Sequence, residues 1–137
     1  MKSKKSREAF VKAVYTLSQS QNGCVRSWQL ANQLGVSRTL VSLTVKALTQ
    51  EGYLYFDSQK AVCLTSEGYQ LACTVMERNR ILREAFLFLG VAKETAEKDA
   101  GKLAHILGEE CMAALWAFVQ ECRDVREEGR NLCNEPF

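Results

Sequence analysis

Mainly α-helical structure with one small β hairpin is the fold class this sequence predicts, and three observations predict it. Apolar residues recur at helical spacing over most of the chain. The sole proline, Pro136, stands beside the last residue, so nothing before it forces a helix to stop. Two short runs rich in strand formers, Tyr53-Leu54-Tyr55-Phe56 and Ala61-Val62-Cys63-Leu64, flank a polar tetrapeptide.

The elements follow in order. From Ser6 to Ser20 the apolar residues Phe10, Val11, Val14, Tyr15 and Leu17 form a helical stripe, which Asn22-Gly23 breaks. Ser27 is the expected N-cap of a short helix carrying Trp28, Leu30, Ala31 and Leu34, closed by Gly35. Ser37 is the expected N-cap of the next helix, which places Val41, Val45 and Leu48 on one side and stops near Gly52. Two helices joined across Leu34-Gly35-Val36-Ser37 make a helix-turn-helix. The two strand runs around Asp57-Ser58-Gln59-Lys60 then form a hairpin, the wing, whose turn lacks glycine. A long helix starts at Thr65-Ser66-Glu67-Gly68 and ends at Gly90. Two more cover about Lys93 to Leu107 and about Glu109 to Val125, with a polar, frayed tail after Gly129. The organisation is a winged helix-turn-helix over residues 1–70 and a helical dimerisation domain over residues 71–137.

Charge divides the same way. Residues 1–70 carry 9 Lys+Arg against 4 Asp+Glu, a net of +5; residues 71–137 carry 9 against 12, a net of −3, which together give the chain's +2. The basic half is the one expected to meet a polyanion. No apolar run approaches the roughly 18 residues of a membrane span. The basic start Met1 to Arg7 lacks the apolar core of a signal peptide, so a cytoplasmic protein without membrane contact is expected. Six cysteines without C-x-x-C spacing argue against a zinc knuckle, and in a reducing cytosol they are expected as small, buried thiols. P-loop, dinucleotide-binding, serine-hydrolase and zinc-protease motifs are absent, and the single histidine stands in no catalytic motif; no enzyme is expected.

The candidate chemistry lies on the second helix of the motif. Arg38, Ser42, Lys46 and Thr49 share its outward side, with Thr39 beside Arg38. Arg38 can present two donors to a guanine edge, while Thr39 and Ser42 can reach bases or phosphates. Lys46, and Ser37 at the helix start, suit phosphate positioning, as do Arg26, Ser27 and the wing-tip Lys60. Double-stranded DNA is the expected partner. One reading helix covers part of a groove, so a homodimer on a palindromic site is expected, with Leu115, Trp116 and Val119 of the last helix as its contact.

Tyr15-Thr16-Leu17, Gln29 to Ser37, Val41 to Leu48 and Leu64-Thr65-Ser66-Glu67-Gly68-Tyr69-Gln70-Leu71-Ala72 resemble the winged-helix domain of the DtxR/MntR family. Phe88-Leu89-Gly90-Val91 and Asp99 to Gly108 are similar to that family's acidic-histidine segment, and the short length resembles its manganese regulators. The resemblance implies a homodimeric repressor that takes manganese or iron(II) and then binds a palindromic operator. It also places the metal-ligand positions at Ala9, Lys12, Asn79, Gly101, Ala104 and His105, of which His105 and Asn79 alone offer donors suited to a cation. A hard dication needs several oxygen or imidazole donors, so metal dependence is not expected to survive in its usual form. The Lys12 ammonium would instead stand where relatives hold a carboxylate beside a cation.

Three other readings stay open. A MarR-like regulator has a similar wing but a longer helical stretch before its helix-turn-helix. A thiol-responsive regulator would use Cys111, Cys122 and Cys133, spaced 11 apart, close to three helical turns each. A winged-helix module that binds protein would not need the cationic face of Arg38 and Lys46.

Overall fold

A computed structural model describes the backbone of residues 4–134 and the side chains of residues 6–129. The elements run α1 (Lys4–Gln21), α2 (Ser27–Leu34), α3 (Arg38–Gln50), β1 (Leu54–Phe56), β2 (Val62–Leu64), α4 (Ser66–Phe88), α5 (Lys93–Leu103) and α6 (Glu109–Asn134). The fold is thus mainly helical, with a single antiparallel hairpin among the described residues, in the register Leu54↔Leu64, Tyr55↔Cys63 and Phe56↔Val62. No helix among them is long and apolar enough to cross a membrane. The chain forms two compact units, one up to Met76 and one from Glu77.

In the first unit the apolar stripe of α1 (Phe10, Ala13, Val14) meets Leu30 and Ala31 of α2, Val41, Val45 and Leu48 of α3, and Leu54 and Val62 of the hairpin. Leu30, Leu48 and Leu54 are fully buried. Each such side chain contributes about 1.5–3 kcal/mol, more than helix propensities differ, so burial decides which way α3 faces. Gly35 closes α2 in the left-handed conformation, φ 64°. Ser37 caps α3, its Oγ accepting from the Leu40 N–H at 3.1 Å.

The start of α2 differs from expectation. Arg26, and not Ser27, is the N-cap, extended at φ −83° and ψ 148°; Ser27 is the first helical residue. The cause is the preceding residue. Val25 exchanges both backbone hydrogen bonds with Val62, at 2.9 and 2.7 Å, which keeps the chain extended up to the cap. The Gln29 side chain then accepts from the Arg26 N–H at 2.9 Å.

The wing turns without glycine. Asp57 Oδ1 accepts from the Gln59 and Ala61 N–H groups, both at 2.8 Å, and Lys60 takes the left-handed conformation at φ 62°. At the foot of the hairpin, Thr65 Oγ1 donates to the Gly52 carbonyl at 2.6 Å and accepts from the Gly68 N–H at 3.0 Å, opening α4.

In the second unit Ile81, Leu82 and Ala85 of α4, Ala100 with Ala104 at the end of α5, and Met112 and Val119 of α6 form one core. Two helix ends depart from expectation. Helix α5 stops at Leu103, and the next residues tighten into a turn in which the Ile106 and Leu107 N–H groups both bond the Leu103 carbonyl. The buried Arg78 guanidinium takes the freed Leu107 carbonyl. Helix α6 does not stop near Val125; it continues through Gly129 to Asn134. A single glycine costs a helix interior only about 1 kcal/mol, too little to end one that has no proline in its path.

Candidate nucleic-acid interface

With Val41, Thr44, Val45 and Leu48 turned into the core, α3 exposes Arg38, Thr39, Ser42 and Lys46. Thr49, expected on the same side, is half-buried, and its hydroxyl is spent on the Val45 carbonyl at 2.8 Å. Helix α3 contains no acidic residue. The nearest carboxylate in sequence, Glu51, is drawn to Arg7 of α1 at 3.0 Å, and Arg7 also lies over the Tyr53 ring. Among the described residues, the side chains of Arg38, Lys46 and Lys60 form no ion pair within the chain.

One residue of this face escaped the sequence reading. Leu43 is 58% exposed, between Thr39 and Lys46 on the outward side. Its spacing, four after Thr39 and three before Lys46, was the available signal. Its apolar type concealed it, because leucine in a helix is ordinarily assigned to the core. An exposed leucine here can meet a thymine methyl.

The flanking candidates divide. Lys60 sits at the tip of the wing, exposed. Arg26 is exposed but partly engaged, its Nη1 donating to the Gln59 carbonyl at 2.6 Å, so it holds the wing turn against the start of α2. Ser27 is half-buried in the first turn of α2.

A further correction concerns the cysteines. Cys24 and Cys63 are not thiols but a disulfide, with Cα atoms 5.0 Å apart. The Val25–Val62 bridge sets Cys24 opposite Cys63, a pairing that sequence separation hides. Of the thiols, Cys73 and Cys122 are half-buried and Cys111 is exposed, so Cys111 does not fill a core. The Cys133 side chain lies outside the described residues.

The expected metal-ligand positions offer few donors, Ala9, Gly101 and Ala104 offering none. His105 is half-buried and already has a partner in the chain. The Asn79 amide nitrogen is buried without a hydrogen bond, and its oxygen lies 3.9 Å from where a Cβ on Gly101 would stand. Among the described residues, only Cys24, Asp57 and Cys63 bring three ligand-type atoms together, at the wing and the loop before α2. His105 with one neutral amide does not fit a hard dication. Lys12, in a carboxylate's place, is half-buried, and desolvation lowers its pKa below the ordinary lysine value.

The proposed dimer residues are also sorted by the fold. Val119 is fully buried in the second unit's own core and is removed from any interface. Leu115 packs against that core, while Trp116 is 49% exposed.

A helix-turn-helix with a hairpin wing and an exposed cationic reading helix defines a winged-helix protein. Residues 3–62 match the pattern of the iron dependent repressor N-terminal DNA binding domain, and residues 65–129 that of the iron dependent repressor metal binding and dimerisation domain. The transcriptional regulator MntR of Salmonella typhimurium is 35% identical over 99 residues, covering 72% of this chain and 63% of its own. An uncharacterised HTH-type transcriptional regulator of Methanocaldococcus jannaschii is 25% identical over 120 residues, covering 87% of this chain and 96% of its own. A manganese-dependent transcriptional repressor solved in complex with manganese is 28% identical with a TM-score of 0.73, over 83% of this chain and 52% of that one. The chain belongs to the iron-dependent repressor family, the DtxR/MntR regulators. It spans less than two thirds of the MntR relative and about half of the solved repressor.

Proposed function

We propose that this chain is a cytoplasmic transcriptional regulator, a repressor and not an enzyme, that binds a palindromic double-stranded DNA site as a homodimer without a metal corepressor. The acid-free, outward face of α3 carries this reading. Its first turn presents Arg38 and Thr39 beside the helix N-terminus, where free N–H groups favour a phosphate and a long side chain reaches base edges. Arg38 is assigned to a guanine edge, Ser42 and Leu43 to the neighbouring base, Lys46 to the backbone, and Ser37, Ser27 and Arg26 to phosphates at the near edge of the groove. Lys60 reaches the flanking backbone from the wing.

Ligand chemistry supports the metal-independent part. With Ala9, Gly101 and Ala104 offering no donor and Lys12 offering a cation, no step of activation is routed through manganese or iron(II). Exposed cationic side chains on a reading helix favour DNA over the alternative of a protein-binding winged helix, and over a MarR-like assignment the family match is decisive.

The test is a binding titration of a DNA duplex selected by the protein from a random pool. Affinity is expected to be equal in excess chelator and in added manganese. Tightening of tenfold or more on adding manganese would overturn metal independence.

A further inference from the structure

Cys24 and Cys63 join two parts of the first unit that the backbone holds only lightly. Strands β1 and β2 have three residues each, and a two-stranded hairpin of that size is marginal without further support. Beyond its own register the wing is tied to the loop before α2 by the two Val25–Val62 hydrogen bonds and by Arg26 on the Gln59 carbonyl. The disulfide is the one covalent tie. It closes a loop with a sequence separation of 39 that contains α2, α3, β1 and the wing turn, and so every residue assigned to base reading.

The bond is open to reagents. Cys63 is buried and Cys24 half-buried, and both line an open groove of about 400 Å³ walled by Tyr15, Tyr55 and Tyr69. The Asp57 carboxylate lies within 4.8 Å of both sulfurs. Asp57 also organises the wing turn through the Gln59 and Ala61 N–H groups, so a change at the sulfurs is felt beside the residue that shapes the tip.

We propose that Cys24 and Cys63 are a reversible two-electron redox site, oxidised by a hydroperoxide and reduced by a low-molecular-weight thiol, that sets the order of the wing. In oxidation the more exposed Cys24 thiolate attacks the distal peroxide oxygen. The O–O bond breaks, an alcohol leaves with a proton, and Cys24 becomes a sulfenic acid. The Cys63 sulfur then attacks Cys24, the S–O bond breaks, and hydroxide leaves as water with the Cys63 proton. Two thiols and one hydroperoxide thus become one disulfide, one alcohol and one water. Reduction reverses the sulfur chemistry by exchange: two external thiols give one external disulfide and restore both cysteines. The oxidised form holds Lys60 and the α2 start pre-organised, whereas the reduced form must order the wing on binding. The consequence for DNA rests on the proposed function; the redox site itself does not.

The experiment uses the full chain, first reduced in millimolar reduced glutathione and then treated with hydrogen peroxide. Thiol alkylation with mass analysis reads the sulfurs, amide hydrogen exchange over residues 55–63 reads the wing, and anisotropy with the pool-selected duplex reads DNA. Both cysteines are expected to alkylate in glutathione and to be protected after peroxide. Wing exchange is expected to slow on oxidation, and DNA binding to tighten roughly three- to tenfold. Cys63→Ser is expected to keep the reduced exchange pattern under either treatment. A bond that persists in glutathione, a pair that peroxide leaves alkylatable, or a wing whose exchange ignores the sulfur state overturns the redox site. A responsive wing in a protein that binds no duplex in either state overturns the DNA reading alone.

Discussion

At the scale of single residues, two positions carry sharp consequences. A Cβ on Gly68 would lie 2.0 Å from the Tyr53 carbonyl oxygen, which is backbone and cannot swing aside. Gly68→Ala is expected to cost about 3 kcal/mol, the upper part of the range for overpacking, read as a lowered denaturant midpoint at unchanged slope. The glycine therefore serves a close approach between α4 and the foot of the wing, and the sequence showed only its place in a family-like segment. Lys60 is the opposite case. It holds a left-handed φ that glycine adopts freely, so Lys60→Gly is expected to stabilise the fold by about 0.5–1 kcal/mol while weakening DNA binding. A variant that gains stability and loses affinity separates the charge of that side chain from its backbone. A variant that keeps full affinity removes Lys60 from the interface.

At the scale of elements, legibility followed the size of the local signal. Helices α1 and α3, the hairpin and the start of α4 were readable because each has an apolar stripe or alternation bounded by a turn or a cap. Two of the failures were tertiary, and the third, at α6, overstated the local cost of one glycine. The Val25–Val62 bridge moved the α2 cap to Arg26, the Arg78 guanidinium on the Leu107 carbonyl accompanies the early end of α5, and α6 ran through Gly129. The reading face of α3 was legible at Arg38, Thr39, Ser42 and Lys46, whose polarity marks them. It was not legible at Leu43, where exposure opposes residue type. The disulfide was hidden for the same reason as the cap: a single pair of backbone bonds brings distant residues together.

At the scale of the whole molecule, the proposed dimer contact lies on α6. Met112 and Val119 face the second unit's core, and Trp116 on the same helix is left half-exposed. An aromatic of that size is the anchor expected in a self-association contact. Trp116→Glu is expected to convert a dimer to a monomer by mass in solution with helix content retained; an unchanged dimer would place the contact elsewhere.

Under the proposed function, the α3 face and the wing tip meet DNA phosphates from both halves of a dimer. Arg26, Lys46 and Lys60 from two copies are expected to make about six cationic phosphate contacts, each contributing about 0.9 to the slope of log affinity against log salt. The most direct measurement is that slope for the pool-selected duplex, for the wild type and for Lys46→Ala. A slope near −5 is predicted for the wild type, reduced in magnitude by about 2 in the variant, because each of the two copies loses one contact. A wild-type slope near zero, or one that Lys46→Ala leaves unchanged, would remove α3 from the DNA interface.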